Sequence, residues 1–126
     1  MRIVIADGQP KVRRALRVLL EQVGRDEIAG EAADAASLLA RVATVGTDLV
    51  LLDGALLGLT TIELLDVLRR AFPGTRVIVL STRTEAGPDA LKAGAAAFVS
   101  KSDPAEWLLA AIEECRPPME GVRGRG

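Results

Sequence analysis

No histidine occurs anywhere in the 126 residues. That removes the commonest general base at neutral pH and the commonest metal ligand together, so a Ser-His-Asp triad and a His-built zinc site are both excluded. Cysteine is nearly absent too. Cys115 stands alone, which rules out an internal disulfide and makes a reducing cytosol the expected setting. Long apolar runs are missing: the first strand-like run after Arg2 has no signal-peptide core behind it, and no stretch approaches the roughly 20 apolar residues a membrane span requires. Neither sign of charge dominates, with 16 Lys and Arg against 17 Asp and Glu, which argues against the broad basic footprint of a nucleic-acid surface. Only the tail is locally basic, through Arg123 and Arg125, and a Gly-rich end of that kind reads as a solvated terminus. Internal repeats and low-complexity linkers are lacking, and 49% hydrophobic residues suit one domain with a real core.

What is present is alternation. Ile3-Val-Ile-Ala6 reads as a short strand, apolar on both faces. Pro10 sits where a helix would start; Val12, Leu16, Leu19, Leu20 and Val23 recur at helical spacing, and Gly24 stops the run. Lys11, Arg13, Arg14 and Arg17 fall off that stripe and are expected to form its wet face. A weaker strand, Glu27-Ile-Ala-Gly-Glu-Ala32, precedes a helix capped by Asp34 and carrying Leu38, Leu39 and Val42. Asp48-Leu-Val-Leu-Leu-Asp53 is the third strand. Thr60-Thr-Ile-Glu63 fits a capping box for a third helix that runs to Phe72-Pro73 through Ile62, Leu65 and Leu68. Arg76-Val-Ile-Val-Leu80 is the clearest strand, followed by a short helix between Pro88 and Ala93. Ala97-Phe-Val-Ser100 is the fifth. Asp103-Pro-Ala-Glu106 reads as another capping box, opening a helix with Trp107, Leu108, Ala111 and Ile112 that frays before Pro117-Pro118.

Five strands alternating with five helices imply a parallel α/β sheet covered on both faces. In such sheets ligands sit beyond the carboxyl ends of the strands. Asp7, Asp53, Ser81 and Lys101 each end or follow a strand, so four chemically active side chains are expected along one edge.

These residues carry a resemblance that covers nearly the whole chain, from Arg2 to about Arg116. Arg2-Ile-Val-Ile-Ala-Asp7, Asp48-Leu-Val-Leu-Leu-Asp53, Val77-Ile-Val-Leu-Ser81 and Gly94-Ala-Ala-Ala-Phe-Val-Ser-Lys101 resemble, in joint order and spacing, the receiver domain of bacterial two-component response regulators. The likeness is to the NarL/FixJ-like branch, whose members usually carry a LuxR-type DNA-binding effector. It implies a flavodoxin-like sheet of order 2-1-3-4-5 with helices on both faces. It further implies Asp53 as phosphoacceptor, Ser81 and Lys101 as phosphoryl contacts, and Ser81 with Phe98 as the switch pair. Mg²⁺ would be held by Asp7, Asp53 and the Ala55 backbone carbonyl. The implied partner is a sensor histidine kinase, with a homodimer as a further possibility and DNA reached only through an effector outside this chain. The implied setting is cytoplasmic and the implied role regulatory rather than enzymatic. A receiver spanning residues 1–116 would then be followed by a tail or linker over residues 117–126.

Three departures bear on this. Gly8 stands where the family has its second acid, the direct metal ligand, which weakens Mg²⁺ binding. Leu57 replaces the usual proline of the loop after the acceptor. The stretch between Ser81 and Gly94 is about two residues short and contains Gly87-Pro88, so its helix can hardly exceed two turns. Plainer roles stand beside each functional one. Asp53 can be a strand-end cap, Asp7 an unpaired surface acid, and Lys101 a structural counter-ion for the two. Phe98 reads as a packed strand residue, Trp107 as packing and Cys115 as inert. Two functions follow: a phosphorylated receiver, or an atypical one that dimerises or binds a protein or small ligand without phosphate. A haloacid-dehalogenase-type hydrolase would want an acid at Ala55, and a flavodoxin-like carrier would want a phosphate loop that Asp7-Gly-Gln-Pro10 does not supply.

Overall fold

The computed structural model describes residues 1–117; the expected linker lies, but for Pro117, outside them. In chain order the elements are β1 (Arg2–Ala6), α1 (Pro10–Val23), β2 (Glu27–Ala32), α2 (Ala35–Thr44), β3 (Leu49–Asp53), α3 (Thr61–Ala71), β4 (Arg76–Ser81), α4 (Gly87–Lys92), β5 (Ala97–Ser100) and α5 (Ala105–Glu114). A single 3₁₀ turn, Thr84–Ala86, leads into α4. The strands form one parallel sheet in the order β2-β1-β3-β4-β5, as the resemblance implies.

Strand periodicity decides which helix lies where. Side chains alternate across a strand, so each apolar run feeds two cores. Val4, Val50, Leu52 and Val79 face α2, α3 and α4, meeting Leu38, Leu64, Leu68 and Ala90. Ile3, Ile5, Leu49, Leu51 and Ile78 face the other way and meet Leu20 of α1 and Leu108 and Ile112 of α5. β3 is buried along its whole length, which is why its sequence lacks the alternation of a half-wet strand.

Local signals set the ends. Gly24 closes α1 at φ 72, the left-handed conformation that glycine adopts without a Cβ penalty. Asp34 caps α2 through the Ser37 N–H, and Thr60 with Glu63 forms the expected capping box on α3. The box expected at α5 is not there. The Asp103 carboxylate accepts from the Ser100 N–H at 2.9 Å, closing the turn after β5, and Pro104 becomes the residue before the helix, which starts without a side-chain cap. Trp107, expected in packing, is 60% exposed, because the inner face of α5 runs through Leu108, Ala111 and Ile112. Ile62 likewise lies half out, and Leu64 takes the inner position. Arg13 and Arg17 do not form a plain wet face: both donate to Glu31 on β2, at 3.1 and 2.7 Å. Among the described residues no helix is long and apolar enough to cross a membrane.

The base of the fold is tied by Asp26, whose side chain is only 3% exposed and accepts from both terminal nitrogens of Arg116 and from the Met1 amine. The Arg116 bonds outweigh burial and hold the Asp26 carboxyl below its ordinary value. A depressed folded-state value means stabilisation that is present above the unfolded carboxylate range and lost as pH falls through the folded value. Asp26→Asn is therefore expected to cost about 1–3 kcal/mol at pH 7, the scale of charge-assisted hydrogen bonds. In urea unfolding the gap between the two proteins should narrow below about pH 4; a gap that stays constant down to pH 2 would contradict the assignment.

Candidate functional site

The carboxyl ends of β1, β3, β4 and β5 deliver Asp7, Asp53, Ser81 and Lys101 to one rim. The geometry draws them together tightly. The Lys101 ammonium lies 2.8 Å from Asp7 Oδ2 and 3.1 Å from Asp53 Oδ1, so one cation bridges both acids. Asp7 is 1% and Asp53 7% exposed, which makes that cation the counter-charge for two nearly buried carboxylates. Burial alone would lower the Lys101 ammonium, but its bonds to Asp7 and Asp53 prevail and leave it above the ordinary lysine value.

A backbone N–H also holds one oxygen of each acid. Asp7 Oδ1 accepts from the Gln9 N–H at 2.9 Å, turning the chain into α1, and its carbonyl accepts from Arg13 Nη1 at 2.7 Å. Asp53 Oδ1 accepts from the Ala55 N–H at 3.0 Å. Asp53 Oδ2 has no hydrogen-bond partner among the described residues, and since no buried side-chain oxygen there lacks one, it reaches solvent. The site thus holds one carboxylate oxygen that is anchored to the fold but not consumed by it.

Ser81 sits beside Asp53 because Gly54 lets it. A Cβ at residue 54 would stand 3.0 Å from Ser81 Cβ and 3.2 Å from its Oγ. Ser81 Oγ accepts from the Arg83 N–H at 3.0 Å, leaving its own proton free, and the Ser81 carbonyl accepts from the Lys101 N–H at 3.0 Å. Phe98 is half-buried and packs against α4 where Gly87 would place a Cβ 3.2 Å from its ring. Ser81 and Phe98 line a common cavity of about 160 Å³ with Gly54 and Thr61. Gly54 and the Arg83 N–H were not singled out in the sequence, and Arg13 was read there only as part of a wet face. A glycine immediately after a buried acid was the one available signal, since the other two contacts depend on how separate segments meet.

Gly8 is exposed, has no left-handed φ, and a Cβ there would meet nothing nearer than the Ala33 carbonyl at 3.6 Å. The backbone therefore does not require glycine. Among the described residues no group of three acids, cysteines or histidines is placed to hold a metal ion. Asp7 and Asp53 are oxygen donors of the right kind for Mg²⁺, but the direct acid ligand is missing and the ammonium already lies on both. The residues present do not make a fitted Mg²⁺ site.

Removing the ammonium while keeping both acids strands buried charge. Lys101→Met should destabilise the fold by about 3 kcal/mol at pH 7, and the Lys101→Met, Asp53→Asn double variant should recover part of that loss. Because the Lys101 value is raised, its contribution persists up to the ordinary lysine range and fades only as pH climbs beyond that range through the folded value. Chemical unfolding of the three proteins measures this; equal stability of Lys101→Met and wild type would show that the bridge carries no load.

Comparison with known proteins agrees with this arrangement. Residues 3–113 match the model of the response regulator receiver domain family. The chain is 34% identical over 113 residues to the nitrate/nitrite response regulator protein NarP of Escherichia coli, covering 87% of this chain and 52% of that protein. It is 32% identical over 119 residues to the DNA-binding transcriptional activator EvgA of the same species, covering 92% and 57%. It therefore spans about half the length of the curated relatives it matches. The solved signal receiver domain of the response regulator NarL from Mycobacterium tuberculosis superposes with a TM-score of 0.83 at 28% identity, over 90% of this chain and 94% of that one.

Proposed function

This chain belongs to the response regulator receiver domain family, in its NarL/FixJ-like branch, and we propose that it is a signalling switch that takes a phosphoryl group on Asp53 from a sensor histidine kinase. The observation that carries this is the Lys101 bridge with Asp53 Oδ2 left unpartnered. In the proposed step Oδ2 attacks the phosphorus of a phosphohistidine, the P–N bond breaks, and the imidazole leaves with its electron pair and takes up a proton. The product is an acyl phosphate. Lys101 offsets the charge of the phosphoryl oxygens, and Ser81, whose hydroxyl proton is free, donates to one of them. The Ser81 loop then draws inward and Phe98 follows into the cavity they share.

Receiver domains generally bind Mg²⁺ at this site. Here Asp7, Asp53 and the Ala55 carbonyl are the candidate ligands, and with Gly8 in the acid's place no step above is routed through the ion. A receiver of residues 1–116 would pass its state through residues 117–126 to a transcriptional effector. The role of the relatives, a nitrate/nitrite response regulator and a DNA-binding activator by name, supports that reading. A second reading is favoured by Gly8 and by the ammonium already seated between the acids: a phosphorylation-independent module that dimerises or binds a ligand, frozen in one state.

The test is intact mass after acetyl phosphate, with and without Mg²⁺. The first reading expects one added phosphoryl group, lost in Asp53→Asn. Because residue 8 has room for a side chain, Gly8→Asp is expected to tighten Mg²⁺ binding by about tenfold or more, a difference of about 1.4 kcal/mol, and to speed the labelling. Failure of wild type and Gly8→Asp alike to gain mass would leave the frozen module as the surviving reading.

A further inference from the structure

A phosphoryl group on Asp53 would leave this rim short of positive charge. At rest Asp7 and Asp53 stand against Lys101, with one carboxylate charge in excess. Modification exchanges the single charge of Asp53 for about two, and the acids present do not make a fitted Mg²⁺ site that would offset them. Lys101 cannot supply the difference alone, because it also neutralises Asp7, 2.8 Å away.

The other cations near the rim differ in how free they are. Arg13 is committed: its guanidinium donates to Glu31 at 3.1 Å and to the Asp7 carbonyl at 2.7 Å. Lys11 lies on the α1 side, where it lines the groove between α1 and α5 rather than the cavity that Ser81 lines. Arg83 stands beside the hydroxyl. Its N–H donates to Ser81 Oγ at 3.0 Å, and it lines the same cavity as Ser81 and Gly54. Its guanidinium is held by Glu85 at 3.0 Å, in a pair whose side chains are 76% and 67% exposed. An ion pair so open to water contributes little and is easily exchanged. Asp89, the other charged residue lining the cavity, is an exposed acid with which Arg83 is not paired. A phosphoryl group offers the guanidinium fork a double charge and two oxygens at once, which neither Glu85 nor Asp89 can match in charge.

We infer that Arg83 is a further phosphoryl-contacting residue, which leaves Glu85 for the phosphoryl oxygens when Asp53 is modified. This contact rests on the phosphoacceptor reading and deepens it: the positive charge that the incomplete acidic set does not recruit as metal comes from the Ser81 loop. Glu85 lies in the Thr84–Ala86 turn that leads into α4, so the exchange also unties that turn from the residue before it.

The rate of labelling by acetyl phosphate in EDTA, followed by intact mass of the full chain, tests the exchange in wild type, Arg83→Gln, Glu85→Gln and the double variant. In that reaction Asp53 Oδ2 bonds to phosphorus, the bond from phosphorus to the acetate oxygen breaks, and acetate leaves with the electron pair. Both substitutions fall at exposed positions, and glutamine keeps the N–H that holds Ser81. Arg83→Gln should slow labelling by about fivefold, the scale of an exposed charge pair. Glu85→Gln, which frees the guanidinium, should speed it by about twofold, and the gain should vanish in the double variant because it acts only through Arg83. A gain of equal size with and without Arg83 is a bare field effect of Glu85 and overturns the exchange. Equal rates for Arg83→Gln and wild type overturn it too, as does an equal loss in Lys11→Gln or labelling that requires Mg²⁺. If no chain gains mass with or without Mg²⁺, the phosphoacceptor reading falls and the Arg83 contact falls with it.

Discussion

One ammonium group holds the functional rim together. Lys101 lies within 3.1 Å of two carboxylates that are 1% and 7% exposed, and without it those charges would face each other across a nearly dry pocket. Burying a charge is tolerable only when it is paired and its lone pairs are used. Here the pairing comes from β5, and the lone pairs are used by N–H groups of the β1–α1 and β3–α3 turns. The ends of three strands are thereby coupled through one side chain, and β4 joins through the Ser81 carbonyl and the Lys101 N–H.

That arrangement also explains why Gly8 is compatible with a well-formed site. In a receiver with a full acidic set, metal charge and lysine charge share the work of neutralisation. With one acid fewer, a single cation bridges Asp7 and Asp53, and the backbone at residue 8 is under no strain that would demand glycine. The consequence is a pocket that keeps one carboxylate charge in excess at rest and has one solvent-facing oxygen, Asp53 Oδ2. Both readings of the function begin from that state and differ only in whether a phosphoryl group ever reaches the oxygen.

The two faces of the sheet have been filled differently. On the α2–α4 side the apolar residues close over one another, and Gly87 admits the Phe98 ring against α4. On the α1–α5 side the floor is as apolar, but Ala15 of α1 and Ala105 of α5 stand where larger residues would close the seam. A trough of this kind is a packing decision made by two small side chains, and it opens onto the lysine that serves the acids.

Much of this was legible in the chain. Short apolar runs buried on both faces, Pro10 and Gly24 at the ends of α1, and the Thr60–Glu63 box are local signals, and each element formed where they stand. The rim was legible too, because in a parallel sheet every strand's carboxyl end lies on one edge, so Asp7, Asp53, Ser81 and Lys101 had to be neighbours. What local patterns could not decide was competition between partners. Asp103 took the N–H of Ser100 and Pro104 precedes α5, while Trp107 lies outside the helix face that Leu108, Ala111 and Ile112 bury. Arg13 and Arg17, a wet face by periodicity, found Glu31 across the seam to β2. The sequence by itself determined the elements and the edge that carries the chemistry, since those follow from side-chain period and chain connectivity, while the strand order was implied by the family resemblance. Only the tertiary structure decided which donor meets which acceptor, that one ammonium spans two acids, and that α1 and α5 leave a trough, because these depend on distances between segments far apart in the chain.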